Sequence, residues 1–407
     1  MRIKKIVLLL FSSLGFISCV WESNDNSQNF LPLDDSEYPY AGIPRLAIET
    51  EDFLEIRNKK DEIPAKLQIY GESSPLSNIL YLTVRGRGNS SLTMSKYGMK
   101  LEFDDKQSLF GMPPDRDWAL IANHADKTLL KNYISFKIAQ WLNLDYTPHG
   151  VFVELYFNRD YKGLYLLTET IKVSKNRVDL SKSTENYLIE VDKKYDPDNQ
   201  IVFSQSGLPF RIRYPKIIDS TRLVHVQSFL NQWESYMSGD IDYDTLDQKW
   251  IDVATYSKYY WVEEFAKNID NNFNTSVYFS WKPGESMHFG PVWDFDLSYG
   301  GYKVLEAEGW YLRWNKWNKH LFKNQKFTKK IKDYWIKNRN VFIAAQDSLK
   351  IYQQEIHKAA ENNFKRWPIL GSTFLWEFSQ GYKSHDEAVD SLRNWMQQRT
   401  IWIDKHL

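Results

Sequence analysis

From Ile43 the chain runs in short segments of alternating apolar and polar positions, RLAIET, AKLQIY and LYLTVRG, each bounded by Pro, Gly or Ser clusters. A period of two with such punctuation predicts strands. Between Asp126 and Leu142 the period changes: Leu129, Leu130, Tyr133, Ile134, Phe136, Ile138 and Ala139 recur at helical spacings, which predicts a helix with Asp126 as N-cap. VFVELYF and GLYLLTE then flank a turn at Asn158 to Gly163 and predict a hairpin with a four-to-five-residue loop. After Ser220 the pattern is mainly helical, broken by a strand pair at SVYFSW and MHFGPVW, and from about Lys319 to Leu407 it predicts several amphipathic helices rich in Lys and Trp. The expected class is α+β, β-rich to about Thr170 and mostly helical beyond.

The first residues follow none of these patterns. Arg2, Lys4 and Lys5 give a basic start, and the uncharged run from Ile6 to Ile17 ends in Phe16-Ile17-Ser18-Cys19. That run is about 12 residues, short of the ~20 a transmembrane helix needs, and its end resembles a bacterial lipobox. Residues 1–18 are expected to be a signal peptide, with Cys19 the lipid attachment point. Residues 19–37, polar and aperiodic, read as a flexible tether, and 38–407 as the folded part. The expected location is a bacterial membrane surface, periplasmic or external. Cys19 is the sole cysteine, which excludes an intramolecular disulfide and a thiolate zinc site.

Composition narrows the function. Lys plus Arg and Asp plus Glu are each 52, so no excess of positive charge points to nucleic acid. The 16 Trp, 25 Tyr and 23 Phe fit a heavily aromatic core or a surface that stacks on sugars.

Four clusters carry candidate chemistry. RGRGNSS, Arg85 to Ser91, follows a predicted strand; Gly88 and its neighbour glycine allow close backbone approach, and Arg85 and Arg87 offer forked donors to phosphate oxygens, although a plain turn explains the same residues. KYGMKLEF places Lys100 between apolar residues, with Lys96 on the same segment. In KNIDNNFNTS, Asp270 lies among Asn268, Asn271, Asn272 and Asn274, amides able to fix a carboxylate or share a metal. In PVWDFDLSYGG, Asp294 and Asp296 end an apolar strand at a spacing that lets both reach one hard cation if the chain turns there. A polar turn explains either of the last two alone.

Taken in order, these parts follow the plan of a protein kinase, without a literal GxGxxG, HRD or DFG. RGRGNSS, the strand around Lys100, DWALIANHADKTLLKNYISFKIA, LYFNRDYKGLYLLTE, YLIEVD, KNIDNNFNTSVYF and GPVWDFDLSYGG closely resemble the CotH family of kinase-like spore-coat proteins. The resemblance implies a bilobal, atypical kinase-like fold that binds ATP with Mg²⁺ or Mn²⁺ and transfers the γ-phosphoryl group to Ser or Thr of a secreted or surface protein. Carried onto this chain, it makes Asp270 the residue orienting the acceptor hydroxyl and Asp294 the metal ligand, with Asp296 and Asn274 assisting. Arg85, Arg87 and Gly88 would cover the phosphates, Lys100 would hold them, and Glu169 would partner the lysine. The alternatives are a non-catalytic pseudokinase or glycan-binding surface lipoprotein, and a metal-dependent glycosyltransferase using Asp294 and Asp296 as a DxD motif.

Overall fold

The computed structural model describes residues 30–56, 58–72, 74–181, 183–195, 200–302, 306–373 and 381–407. The expected signal peptide, Cys19 and the first part of the tether lie outside them. Seven strands form a closed barrel in the order β1-β2-β3-β4-β5-β7-β6: β1 (Arg45–Thr50), β2 (Ile63–Tyr70), β3 (Leu80–Arg87), β4 (Gly98–Gln107), β5 (Asp115–Ile121), β6 (Gly150–Phe157) and β7 (Asp160–Glu169). All pairings are antiparallel except β6 to β1, which closes the barrel in parallel. The period of two is the reason it closes around a dry interior. Leu67, Val84, Met99, Leu101, Phe103, Trp118, Val153, Leu155 and Leu167 point in, while Arg85, Lys100 and Glu102 stand outside. β6 and β7 read as unbroken apolar runs because their other faces, through Phe152, Leu164 and Leu166, join a second core under the helices.

The β6–β7 turn is shorter than its sequence suggests. Asn158 and Arg159, both at positive φ, form it alone, and Tyr161 to Gly163 belong to β7. Helix α1 (Lys131–Trp141) starts four positions later than an N-cap at Asp126 implies, since Leu129 adopts φ 60° and interrupts the first turn. Asp126 still satisfies its start, accepting from the amides of Thr128 (2.9 Å) and Lys131 (2.9 Å).

Beyond the barrel, β8 (Tyr187–Val191), β9 (Ile201–Phe203), β10 (Pro209–Tyr214), β11 (Val277–Trp281) and β12 (His288–Phe289) make a second sheet in the order β12-β11-β8-β10-β9. Around it lie α2 (Ser220–Met237), the short α3 (Tyr243–Thr245), α4 (Val253–Ala266), the short α5 (Asn318–Leu321), α6 (Gln325–Arg366) and α7 (His385–His406). The tail, expected as several amphipathic helices, contains the short α5, the 42-residue α6 and α7 among the described residues. Phe327, Ile331, Trp335, Phe342, Leu349 and Ile356 mark the buried stripe of α6, and Asn324 caps it through the Phe327 amide (2.9 Å). Among the described residues no helix is long and apolar enough to cross a membrane.

Candidate active site

α4 is buried almost all round, which fixes it as the post on which the site is built. It ends where Lys267 turns left-handed at φ 46°. The chain then folds back on itself: the Asp270 amide donates to Asn268 Oδ1 (3.2 Å), and the amides of Asn274 (3.2 Å) and Thr275 (3.3 Å) return to the Asp270 carbonyl. Lys193, just past β8, straps this loop down through its amide to the Asn274 carbonyl (2.7 Å), and Thr275 Oγ1 donates to Asp192 (3.1 Å).

Asp294 stands at φ 69°, a conformation that Asp tolerates better than most side chains. Its carboxylate accepts from Ser276 Oγ (3.3 Å). Asn132 of α1 clamps the next turn: its oxygen accepts from the Phe295 amide (2.9 Å) and its nitrogen donates to Asp296. Lys131 lies within 3.4 Å of the Asp296 carbonyl, and Tyr299 ties the segment to α4 through the Ala266 carbonyl (2.8 Å). A side chain in place of Gly301 would collide with the Lys131 ammonium.

Carboxylates accumulate here. Burial, then the charge of Asp294, pushes Asp270 up to about 7, with Lys194 opposing. Burial, then Asp294 and Asp126, pushes Asp296 up to about 7, and Glu263 at the end of α4 rises to about 8 by burial. Asp294 is raised as well, by burial, against Arg87, Ser276 and Lys194. Such like-charge crowding is what active sites display.

Facing the acids is one face of the second sheet. Glu190 is paired across strands with Arg211 and Tyr278; it accepts from the Tyr278 hydroxyl (2.7 Å) and binds Arg213 (3.2 Å). Arg87, at the end of β3, stacks over Trp293 (4.4 Å) and shares an electrostatic field with Asp294, Glu190 and Tyr278. Gly88, at φ 117°, lets the chain turn there, where a side chain would strike Ser91.

The structure thus gathers Asp270, Asp294, Asp296 and Arg87, and not every expected partner. Lys100 points out from the barrel to Glu102 (2.5 Å) and Asp117 (2.8 Å), because the strand alternation that puts Met99 and Leu101 inside puts Lys100 outside. Arg85 shares that face and pairs with Glu62 (3.1 Å). Glu169 binds Arg177 (2.6 Å) and His149 (2.7 Å), neither lysine. Lys96 is the buried one: it donates to the carbonyls of Ala122 (2.7 Å) and Leu164 (2.5 Å) and to Asn363 (2.8 Å), and Asp296 acts on its charge. Asn274 gives its side-chain oxygen to Lys193 (2.7 Å). Asp294 is bonded by Ser276 and Asp296 by Asn132, and the charge of Asp294 acts on Asp296. Sequence reasoning missed Asn132, Ser276, Glu190, Lys194, Arg213, Glu263 and Tyr278; the polar pair Lys131-Asn132 opening an apolar helix was the one local signal.

A bound divalent ion needs few protein ligands when phosphates and water complete its shell. Among the described residues no three His, Cys, Asp or Glu side chains are gathered closely enough to hold an ion unaided. The mutually repelling carboxylates Asp270 and Asp294 nonetheless form a donor set of the hard, oxygen-rich kind that such an ion selects.

The fold is α+β, with the carboxylates of Asp270, Asp294 and Asp296 on two loops that follow the buried helix α4 in sequence. The family model described as CotH kinase protein matches residues 84–403, and the chain belongs to that family. No curated protein matches the chain.

Proposed function

We propose that the protein is a surface-anchored, atypical protein kinase that transfers the γ-phosphoryl group of ATP to Ser or Thr of a secreted or surface protein. The observation that carries this reading is the convergence of Asp270 and Asp294, from two loops, with Arg87 and Lys194 acting on the same acidic field. Arg87, held flat on Trp293, and Arg213, fixed by Glu190, are the forked donors for phosphate oxygens. Asp294, with Asp270 beside it, would hold a divalent ion, which when bound neutralises phosphate charge. Asp270 orients the acceptor hydroxyl, and its value near 7 suits a group that takes a proton at neutral pH. Lys194 is the exposed cation whose charge acts on both aspartates. Positioning and charge stabilisation are what phosphoryl transfer chiefly asks of a protein. Anchoring is assigned to a lipid on Cys19, placing the kinase-like domain outside the cytoplasm.

Two measurements test this: the melting shift with ATP and Mg²⁺, and label transfer from γ-labelled ATP to surface proteins. A shift of a few degrees with transfer is expected. A shift without transfer would favour a pseudokinase, and neither would remove the catalytic reading.

A further inference from the structure

The loop carrying Asp270 has a second neighbour, the segment from Glu306 to Trp317, and its anchoring is heavy. Glu264 of α4, fully buried, accepts from the amides of Tyr311 (2.8 Å), Leu312 (2.7 Å) and Arg313 (3.0 Å). Arg399 of α7, equally buried, binds Glu264 (2.6 Å) and donates to the carbonyls of Ala307 (2.8 Å) and Gly309 (2.6 Å). Lys267 donates to the carbonyls of Glu306 (2.8 Å) and Glu308. Three buried charges thus hold a segment whose outward residue, Trp314, is 61% exposed. Trp317 packs edge-on against Phe273 of the Asp270 loop (4.6 Å), and Tyr311 lies in the field of Asp270.

Cations border the same place. Lys193 and Lys194 are exposed at one side of the Asp270 loop and Lys316 at the other. Lys193 and Lys316 are close enough that, after burial, Lys193 is the main influence lowering Lys316. None of the three forms an ion pair among the described residues, although Lys193 Nζ donates to Asn274 Oδ1 (2.7 Å), whereas Arg85, Lys100 and Lys172 on the barrel's outer side each meet a carboxylate. Lys194 acts on Asp270 and Asp294, whereas Lys193 and Lys316, exposed and without an ion pair among the described residues, leave positive charge beside the exposed indole of Trp314 for an anion.

We propose that the acceptor is an acidic polypeptide segment that lies along Lys193 and Lys316 with an aromatic or aliphatic side chain on Trp314, presenting its Ser or Thr to Asp270. This rests on the kinase reading and adds the chemistry of the acceptor to it. The nucleotide is not the occupant, since Arg87 and Arg213 serve its phosphates on the Asp294 side, while Lys193 and Lys316 flank Phe273 and Asn274.

The test uses the full-length protein, ATP with Mg²⁺, and three Ser peptides of equal length carrying Glu, Gln or Lys around the Ser. Transfer is measured as kcat/KM, and binding of each labelled peptide by fluorescence anisotropy without nucleotide. The Glu peptide is expected to be used at least tenfold better than the Lys peptide at low salt, with the gap closing at high ionic strength. The double variant Lys193→Glu, Lys316→Glu should invert the preference through KM, and Lys316→Glu alone, which keeps the Lys193 bond to Asn274, should weaken it with kcat and the ATP melting shift unchanged. Trp314→Ala should raise KM for all three. Acidic-peptide binding that the double variant abolishes, without any transfer, would leave the docking surface standing and remove the kinase reading. Equal use or binding of the three peptides, a preference for the Lys peptide, or a neutral oligosaccharide that binds through Trp314 and displaces the Glu peptide would overturn the proposal.

Discussion

Two charged surfaces of this molecule, one on the strands of the barrel and one on two loops, behave oppositely. On the outside of the barrel, Arg85, Lys100 and Lys172 alternate with Glu62, Glu102, Asp117 and Asp115, each cation meeting a carboxylate. Although burial pushes Asp115 and Asp117 up, hydrogen bonds and the lysine charges hold both below the usual carboxylate range. At the Asp270 and Asp294 loops the balance fails, and Asp270 and Asp296 rise to about 7. The first surface is electrostatically closed and gains nothing from a ligand. The second is left with a deficit that a bound cation or phosphate-metal complex relieves.

The largest break in that contrast should come from Asp270. Asp270→Asn is expected to lower transfer by roughly 10²–10⁴-fold, the range of a lost general base, while keeping most of the ATP-Mg²⁺ melting shift, since Asp294 remains. Asp294→Asn should instead erase that shift, worth about 2.7 kcal/mol at a hundredfold excess over Kd. If neither variant changes either readout, the two loops are not the site.

Lys96→Met comes next, costing roughly 3 kcal/mol in denaturant unfolding, because three buried oxygens lose their donor. The contrast extends to pH. Asp270, Asp296 and Glu263 carry folded values above their unfolded ones, so the folded state holds more protons between about 4 and about 7–8. Their stabilising contribution is full below the unfolded values and fades as pH rises through the folded ones. Without divalent ions, melting temperature should therefore decline from pH 6 to pH 8, and Asp296→Asn should flatten the decline. A level profile in the unmodified protein would show that these acids are not crowded. Smallest is Lys100→Met, under about 1 kcal/mol and without effect on the nucleotide shift, as a partly exposed ion pair implies.

Strand alternation read from the sequence was enough to place Leu82, Val84, Met99 and Leu101 inside a sheet, and the Asn-rich loop and the carboxylates after Trp293 stood out by composition. What stayed hidden depended on pairing between distant strands. Glu190, Arg213 and Tyr278 become neighbours only when β8, β10 and β11 align, and no local pattern encodes that register. Lys100 illustrates the converse. Its flanking apolar residues are legible, but whether the outward face of β4 borders the site depends on where the second sheet docks. The late start of α1 also escaped, since the positive φ at Leu129 breaks a run whose spacing is otherwise helical.

The salt bridge between Glu264 and Arg399 joins positions 135 residues apart. A chain is made from its N-terminus, so both aspartate loops exist before α7 does. Until that late helix docks, Glu264 lacks the Arg399 counter-charge that helps to fix the segment bearing Trp314. The segment bearing Trp314 therefore gains its full anchoring only after Arg399 has been made, and a chain ended before α7 would bury Glu264 without its partner.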